Sequence, residues 1–188
     1  MVPSKSVVSV FDGESDPKKP EAFKKIGPWC YTKSVIENDG KAYITLMSSN
    51  TLRENENKFD LKFFVADRLA GLGQSLRSKE KILIKLKASG KMTVRIDLIS
   101  KDGTAYGKTI VLDHSSGNIL SFQLSELEKG SMRLLPNAYP GFMNEVFPIS
   151  APQPFNLSET SSIQIHIETD FPVEPDKPII GLAEILFQ

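Results

Sequence analysis

Lys81-Ile82-Leu83-Ile84-Lys85-Leu86-Lys87-Ala88-Ser89-Gly90-Lys91-Met92-Thr93-Val94-Arg95-Ile96-Asp97-Leu98 is the stretch that decides the fold class. Ile82, Ile84 and Leu86 alternate with Lys81, Lys85 and Lys87. After Ser89-Gly90, Met92, Val94, Ile96 and Leu98 alternate with Thr93, Arg95 and Asp97. A period of two puts one face of a strand in a core and the other toward solvent or a ligand. The same parity returns far downstream, where Ile163, Ile165 and Ile167 alternate with Gln164, His166 and Glu168. Between them, Ile110 and Leu112 share a face opposite Val111, just after the turn signal Lys101-Asp102-Gly103.

Working outward, the remaining strand candidates are Val7–Phe11, Trp29–Ile36, Ala42–Met47, Phe59–Val65, Leu120–Leu124 and Ile179–Phe187, so about nine strands are expected at sandwich spacing. Asn38-Asp39-Gly40 reads as a hairpin turn whose residues accept positive φ. Helix signals are weak. Pro17–Lys25 has a cap at Asp16 and proline at its first position. Val65–Leu76 has helical spacing, but Gly71 and Gly73 favour a loop there. Ser125–Glu128 reads as a single turn ended by Gly130. The least regular stretch, Leu135–Ser161, carries five prolines together with Tyr139, Phe142, Phe147 and Phe155. A loop that long is usually functional or disordered, and its aromatics argue for packing. These observations predict one all-β domain over residues 1–188, with two antiparallel sheets packed as a jelly-roll sandwich. Ile82, Ile84, Leu86, Val94, Ile96, Leu98, Ile163, Ile165 and Ile167 are expected in its core.

Composition narrows the function. The 188 residues hold 23 Lys+Arg against 23 Asp+Glu, a formal net charge of zero, with 40% apolar and 24% charged residues. No basic surplus exists to bind nucleic acid or an anionic membrane by bulk charge. No apolar run approaches the ~20 residues of a membrane span. The start shows no basic segment followed by an apolar one, so no secretory signal is expected in this chain. The single cysteine, Cys30, excludes an internal disulfide and a Cys-based zinc site. A Ser-His-Asp triad would have to recruit His114 or His166, and no Gly-x-Ser-x-Gly elbow is present.

The order of segments carries a resemblance. The chain opens with Val10-Phe11-Asp12-Gly13-Glu14-Ser15-Asp16, runs through Trp29 and Tyr31, a hairpin and the paired strands 81–88 and 91–100, and then Ile119–Leu127. It closes on Ile180-Gly181-Leu182-Ala183-Glu184-Ile185-Leu186-Phe187. This layout resembles the galactose-binding-domain-like jelly-roll sandwiches that occur as carbohydrate-binding modules on secreted bacterial polysaccharide-degrading enzymes. The resemblance implies a non-catalytic module with a polysaccharide or oligosaccharide ligand, a neighbouring catalytic domain and an extracellular or periplasmic location. It also implies a structural Ca²⁺ near the first strand, with Asp12 or Glu14 and, from the last strand, Glu184 as oxygen ligands. A solvated turn capped by Asp16 is the competing reading of that acidic cluster.

Sugar rings present flat C–H faces, so exposed aromatics flanked by polar groups suit them. Trp29, Tyr31, Tyr106, Tyr139 and Phe142 are the available platforms. If the long strands share a sheet, Arg95, Asp97, Gln164 and His166 converge on one polar face, rimmed by Tyr106 or Tyr139. Replacing Arg95 or Tyr139 by Ala is then expected to weaken glycan binding with little change in stability. The competing reading of that face is a solvated one with cross-strand ion pairs. Two other functions stay open at this point. One is a sandwich that braces a neighbouring domain without binding glycan. The other is a small jelly-roll enzyme built on residues that show no motif.

Overall fold

The computed structural model describes residues 8–12, 23–26, 30–52, 57–113, 118–130, 132–134, 145–147 and 154–188. Among these, fourteen strands are present: β1 Val8–Asp12, β2 Phe23–Ile26, β3 Cys30–Ile36, β4 Ala42–Ser48, β5 Lys58–Phe64, β6 Lys81–Ala88, β7 Met92–Ser100, β8 Ala105–Leu112, β9 Asn118–Gln123, β10 Glu128–Gly130, β11 Met132–Leu134, β12 Glu145–Phe147, β13 Thr160–Thr169 and β14 Pro178–Phe187. Two six-stranded antiparallel sheets result. The first runs β3-β4-β14-β6-β9, with β1 also on β14; the second runs β10-β8-β7-β13-β5-β2, and β11 and β12 form a separate hairpin. One edge of β14 is divided, Pro178–Leu182 pairing β4 and Glu184–Phe187 pairing β1.

The sheets pack face to face because each presents a greasy side. Ile82, Ile84, Leu86, Val94, Ile96, Leu98, Ile163, Ile165 and Ile167 are all buried in one continuous cluster. Phe11 of β1 and Phe63 of β5 meet across the two sheets, ring centroids 4.6 Å apart. The expected core is therefore the observed one, and the fold is a jelly-roll β-sandwich. No helix among the described residues is long and apolar enough to cross a membrane.

Three local expectations are corrected. The stretch Val65–Leu76, expected as a loop, forms the helix α1 Ala66–Ala70 and most of a 3-10 segment Gly73–Ser78. Leu69 and Leu76 carry its helical spacing into the core, which offsets the glycines, and the Arg68 guanidinium donates to the Val10 carbonyl at 2.6 Å. Phe23–Lys25, expected within a helix, lies instead in β2, antiparallel to β5, where a sheet edge outweighs local propensity. Within 135–161, Glu145–Phe147 is a strand and Leu157–Glu159 a 3-10 turn. The turns behave as read: Gly40 and Gly103 sit at φ +74° and +88°.

Candidate functional site

Parity and register assemble the polar side of the second sheet. On β13, Ile163, Ile165 and Ile167 face the core, so Gln164, His166 and Glu168 face away. Cross-strand neighbours share a face. The ladders therefore lay down one row Asp60–His166–Arg95–Thr109 and a second row Lys62–Gln164–Asp97–Gly107, running from β5 through β13 and β7 to β8. At under ~5 Å per strand, the four strands make a polar floor about 14 Å across. Acids and bases alternate on it, Asp60 and Asp97 against Lys62 and Arg95.

The floor is wired together. The Gln164 amide Nε2 donates to Asp60 Oδ1 at 3.1 Å, and His166 Nδ1 lies 3.1 Å from the same oxygen. Against an ionised Asp60 carboxylate, which only accepts, His166 would donate from Nδ1. Arg95 Nε donates to both Asp97 oxygens at 3.0 and 3.2 Å, and Nη2 lies 2.9 Å from Oδ1. Arg95 Nη1 reaches Thr109 Oγ1 at 3.4 Å. Two glycines make room for this pair. A Cβ on Gly107 would overlap the Asp97 carboxylate and lie 2.6 Å from the Ile96 carbonyl oxygen. A Cβ on Gly130 would lie 2.5 Å from Arg95 Nη2.

Depth divides the floor. Asp60, Asp97 and Gln164 are 0%, 2% and 1% exposed, whereas His166 and Arg95 are half-buried and Thr109 and Glu168 exposed. Gln164 Oε1 is buried without a hydrogen-bond partner. Next to Lys62 on the same face of β5 is Phe64, 43% exposed, whose ring lies 5.8 Å from Lys62 Nζ.

Of the residues predicted from sequence, Arg95, Asp97, Gln164 and His166 are brought together. Tyr106 is not. It pairs with Leu98, which places it on the core side, buried, its ring edge-on to Phe155 at 5.3 Å. Burial also pushes its phenol above the usual tyrosine range. Tyr139, Trp29, Phe142 and His114 lie outside the described residues. Tyr31 lies on the outer side of the other sheet, its hydroxyl donating to Asp176 at 2.6 Å. Sequence reasoning missed Asp60, the shared acceptor, and Phe64, the exposed aromatic. The alternation of Phe59, Leu61 and Phe63 with Asp60, Lys62 and Phe64 was the signal for both.

The acidic residues assigned to calcium are only partly placed. Asp12 pairs with Glu184 across β1 and β14, and Glu14 lies outside the described residues. The Glu184 carboxylate is 2.6 Å from Lys41 Nζ. Among the described residues, no cluster of three or more potential ligands forms.

No family profile matches the chain, and no curated protein matches it in sequence. Solved structures do match in fold. A family 11 carbohydrate-binding module from Clostridium thermocellum, in complex with a β-1,3-1,4-mixed-linked tetrasaccharide, superposes with a TM-score of 0.53 at 13% identity, over 95% of this chain and 94% of that one. The family 11 module of the cellulosomal cellulase Lic26A-Cel5E of the same organism gives 0.52 at 13% identity, over 97% and 92%. An exo-β-agarase gives 0.55 at 9% identity, where 96% of this chain corresponds to 25% of that one.

Proposed function

We propose that the chain is a non-catalytic carbohydrate-binding module that holds a neutral polysaccharide on the outer face of the second sheet. The observation that carries this is the polar floor Asp60–His166–Arg95–Thr109, flanked by Lys62, Gln164 and Asp97 and rimmed by Phe64. Buried charges away from a core are costly unless paired, so such a cluster reads as a site rather than as a source of stability. The groups that reach its surface, Lys62, His166, Arg95, Thr109 and Glu168, include donors and acceptors and so suit hydroxyl groups, which do both. Phe64 supplies the stacking area that polar contacts lack, because sugar hydroxyls are nearly as well satisfied by water. The fold shared with a module solved in complex with a tetrasaccharide supports the reading.

With that function goes a place beside the catalytic domain of a secreted polysaccharide-degrading enzyme, outside the cell or in the periplasm. The correspondence with a quarter of an agarase supports such a neighbour. A structural Ca²⁺ using Asp12 or Glu14 together with Glu184 belongs to the same proposal. It is tested by melting curves with and without chelator, since binding to the native state alone raises the midpoint. Unchanged curves dismiss the metal and leave the glycan reading standing.

The test of the function is affinity electrophoresis through mixed-linkage β-glucan, xylan, galactomannan and agarose. Retardation in at least one is the expected result, with an affinity of about 10 μM to 1 mM. The near-complete burial of Asp60, Asp97 and Gln164 specifically favours a second reading, a sandwich that braces a neighbouring domain. Free migration in every gel, combined with association with a catalytic domain, would establish that reading instead.

A further inference from the structure

A cavity of about 650 Å³ lies at one end of the sandwich, where β7 turns into β8 against the segment leading into β13. Its walls include Phe155, Pro154, Asn156, Lys101, Asp102 and Glu159. None of these belongs to the polar floor. The size falls within the ~300–1,000 Å³ of small-molecule sites.

The walls are built rather than incidental. Phe155 is held by its edge-on contact with the buried Tyr106 at 5.3 Å, so one aromatic wall is fixed. Asn156 Oδ1 accepts from Ser158 N at 3.1 Å, which fixes the amide. Lys101 Nζ lies 3.2 Å from Glu159 Oε2, and the Lys101 N–H donates to the Glu159 carbonyl at 2.8 Å, joining the two sides of the cavity. The Thr104 N–H donates to Asp102 Oδ1 at 2.9 Å and holds that carboxyl below the usual carboxylate range, so it is ionised at neutral pH.

The chemistry of the occupant follows from this lining. Lys101 is offset by Glu159, and Asp102 remains, so the cavity is mildly anionic and disfavours an acidic ligand. An aromatic and a proline on one side, with carboxylates, an amide and an ammonium on the other, match a small neutral polyol with one apolar face. We propose that this cavity is a second saccharide site, which takes one or two units of a neutral sugar, as at a chain end, independently of the sheet face. The inference rests on the reading of the chain as a carbohydrate-binding module.

The test is an amide ¹H–¹⁵N NMR titration of the full chain with cellobiose, laminaribiose, xylobiose and neoagarobiose, with digalacturonic acid as the anionic control. A longer neutral oligosaccharide, cut from a polysaccharide that retards the chain, is titrated alongside. At least one neutral disaccharide should shift the amides of 101–104 and 155–159, and digalacturonic acid should not. Phe155→Ala should raise its Kd about tenfold or more, the effect of losing a stacking surface. Lys101→Ala, at an exposed turn position, provides a second variant whose melting curve should stay near wild type, and its Kd should rise as well. Shifts confined to residues on the sheet face, such as 62–64, 93–95 and 164–168, would overturn the second site while leaving the proposed function intact. No shift with any saccharide, the longer one included, would overturn both.

Discussion

Arg95 sits half-buried on the polar floor, against the buried carboxylate of Asp97. On sequence parity it is an exposed group whose loss spares stability. In the structure its Nε donates to both oxygens of the buried Asp97 carboxylate, while Nη2 lies 2.9 Å from Oδ1 without a hydrogen-bond partner. Arg95→Ala is therefore expected to cost about 1–3 kcal/mol in urea denaturation, the range for removing one side of a buried polar contact. A second residue makes the complementary point. Gly107→Ala adds a single methyl group, but that methyl overlaps Asp97 and crowds the Ile96 carbonyl. Overpacking of this kind costs about 1–3 kcal/mol. If Gly107→Ala instead melts as wild type does, the carboxylate is not held over β8.

The hairpin joining β3 and β4 is the element whose electrostatics are most clearly defined. Its turn residue Asp39 accepts from Lys85 Nζ at 2.5 Å, from the Lys41 N–H at 3.0 Å and from the Tyr43 hydroxyl at 3.1 Å. Glu37 of the same turn pairs with Lys87. Lys85 and Lys87 belong to β6, two strands away from β4, so the turn reaches across β14. The hydrogen bond from Lys85, then that from the Lys41 N–H, lowers the Asp39 pKa from 3.8 to about 2. A depressed folded-state value contributes stability that is present above the unfolded value and lost as pH falls through the folded one. Wild type should thus melt above Asp39→Asn at pH 5–6, and the gap should close between about pH 4 and 2. A gap that stays constant down to pH 2 would mean the turn contacts carry no charge-dependent stability.

Seen whole, the molecule is two sheets closed on one apolar cluster. Phe63→Ala, which removes the β5 partner of Phe11, should cost about 3–5 kcal/mol, since it opens a cavity between the sheets. Much of this was legible. Burying one face of a strand forces a period of two, so the nine core positions could be read directly from residues 82–98 and 163–167. Tyr106 was equally legible, because its parity with Ile110 and Leu112 carries it to the core side, away from the polar floor. Asp60 and Phe64 followed from the parity of β5. What the sequence could not supply was pairing at a distance. That β5, β7 and β13 are neighbours depends on pairings between residues far apart in the chain, such as Asp60 with His166 and Arg95 with His166, and the depth of Asp97 depends on Gly107 and Gly130 from other strands. The helical turn at 66–70 is not legible from local propensity, because burial of Leu69 in the core outweighs the nearby glycines.

The claim that the outer sheet face holds glycan is tested most directly at Phe64, which is exposed and lies on the rim of the polar floor. Isothermal titration would use an oligosaccharide cut from a polysaccharide that retards the chain, comparing wild type with Phe64→Ala, and both melting curves would be recorded. Phe64→Ala should raise Kd about tenfold, with stability within about 0.5 kcal/mol of wild type, as for a surface position. Equal affinity in a Phe64→Ala variant that melts normally would contradict the account.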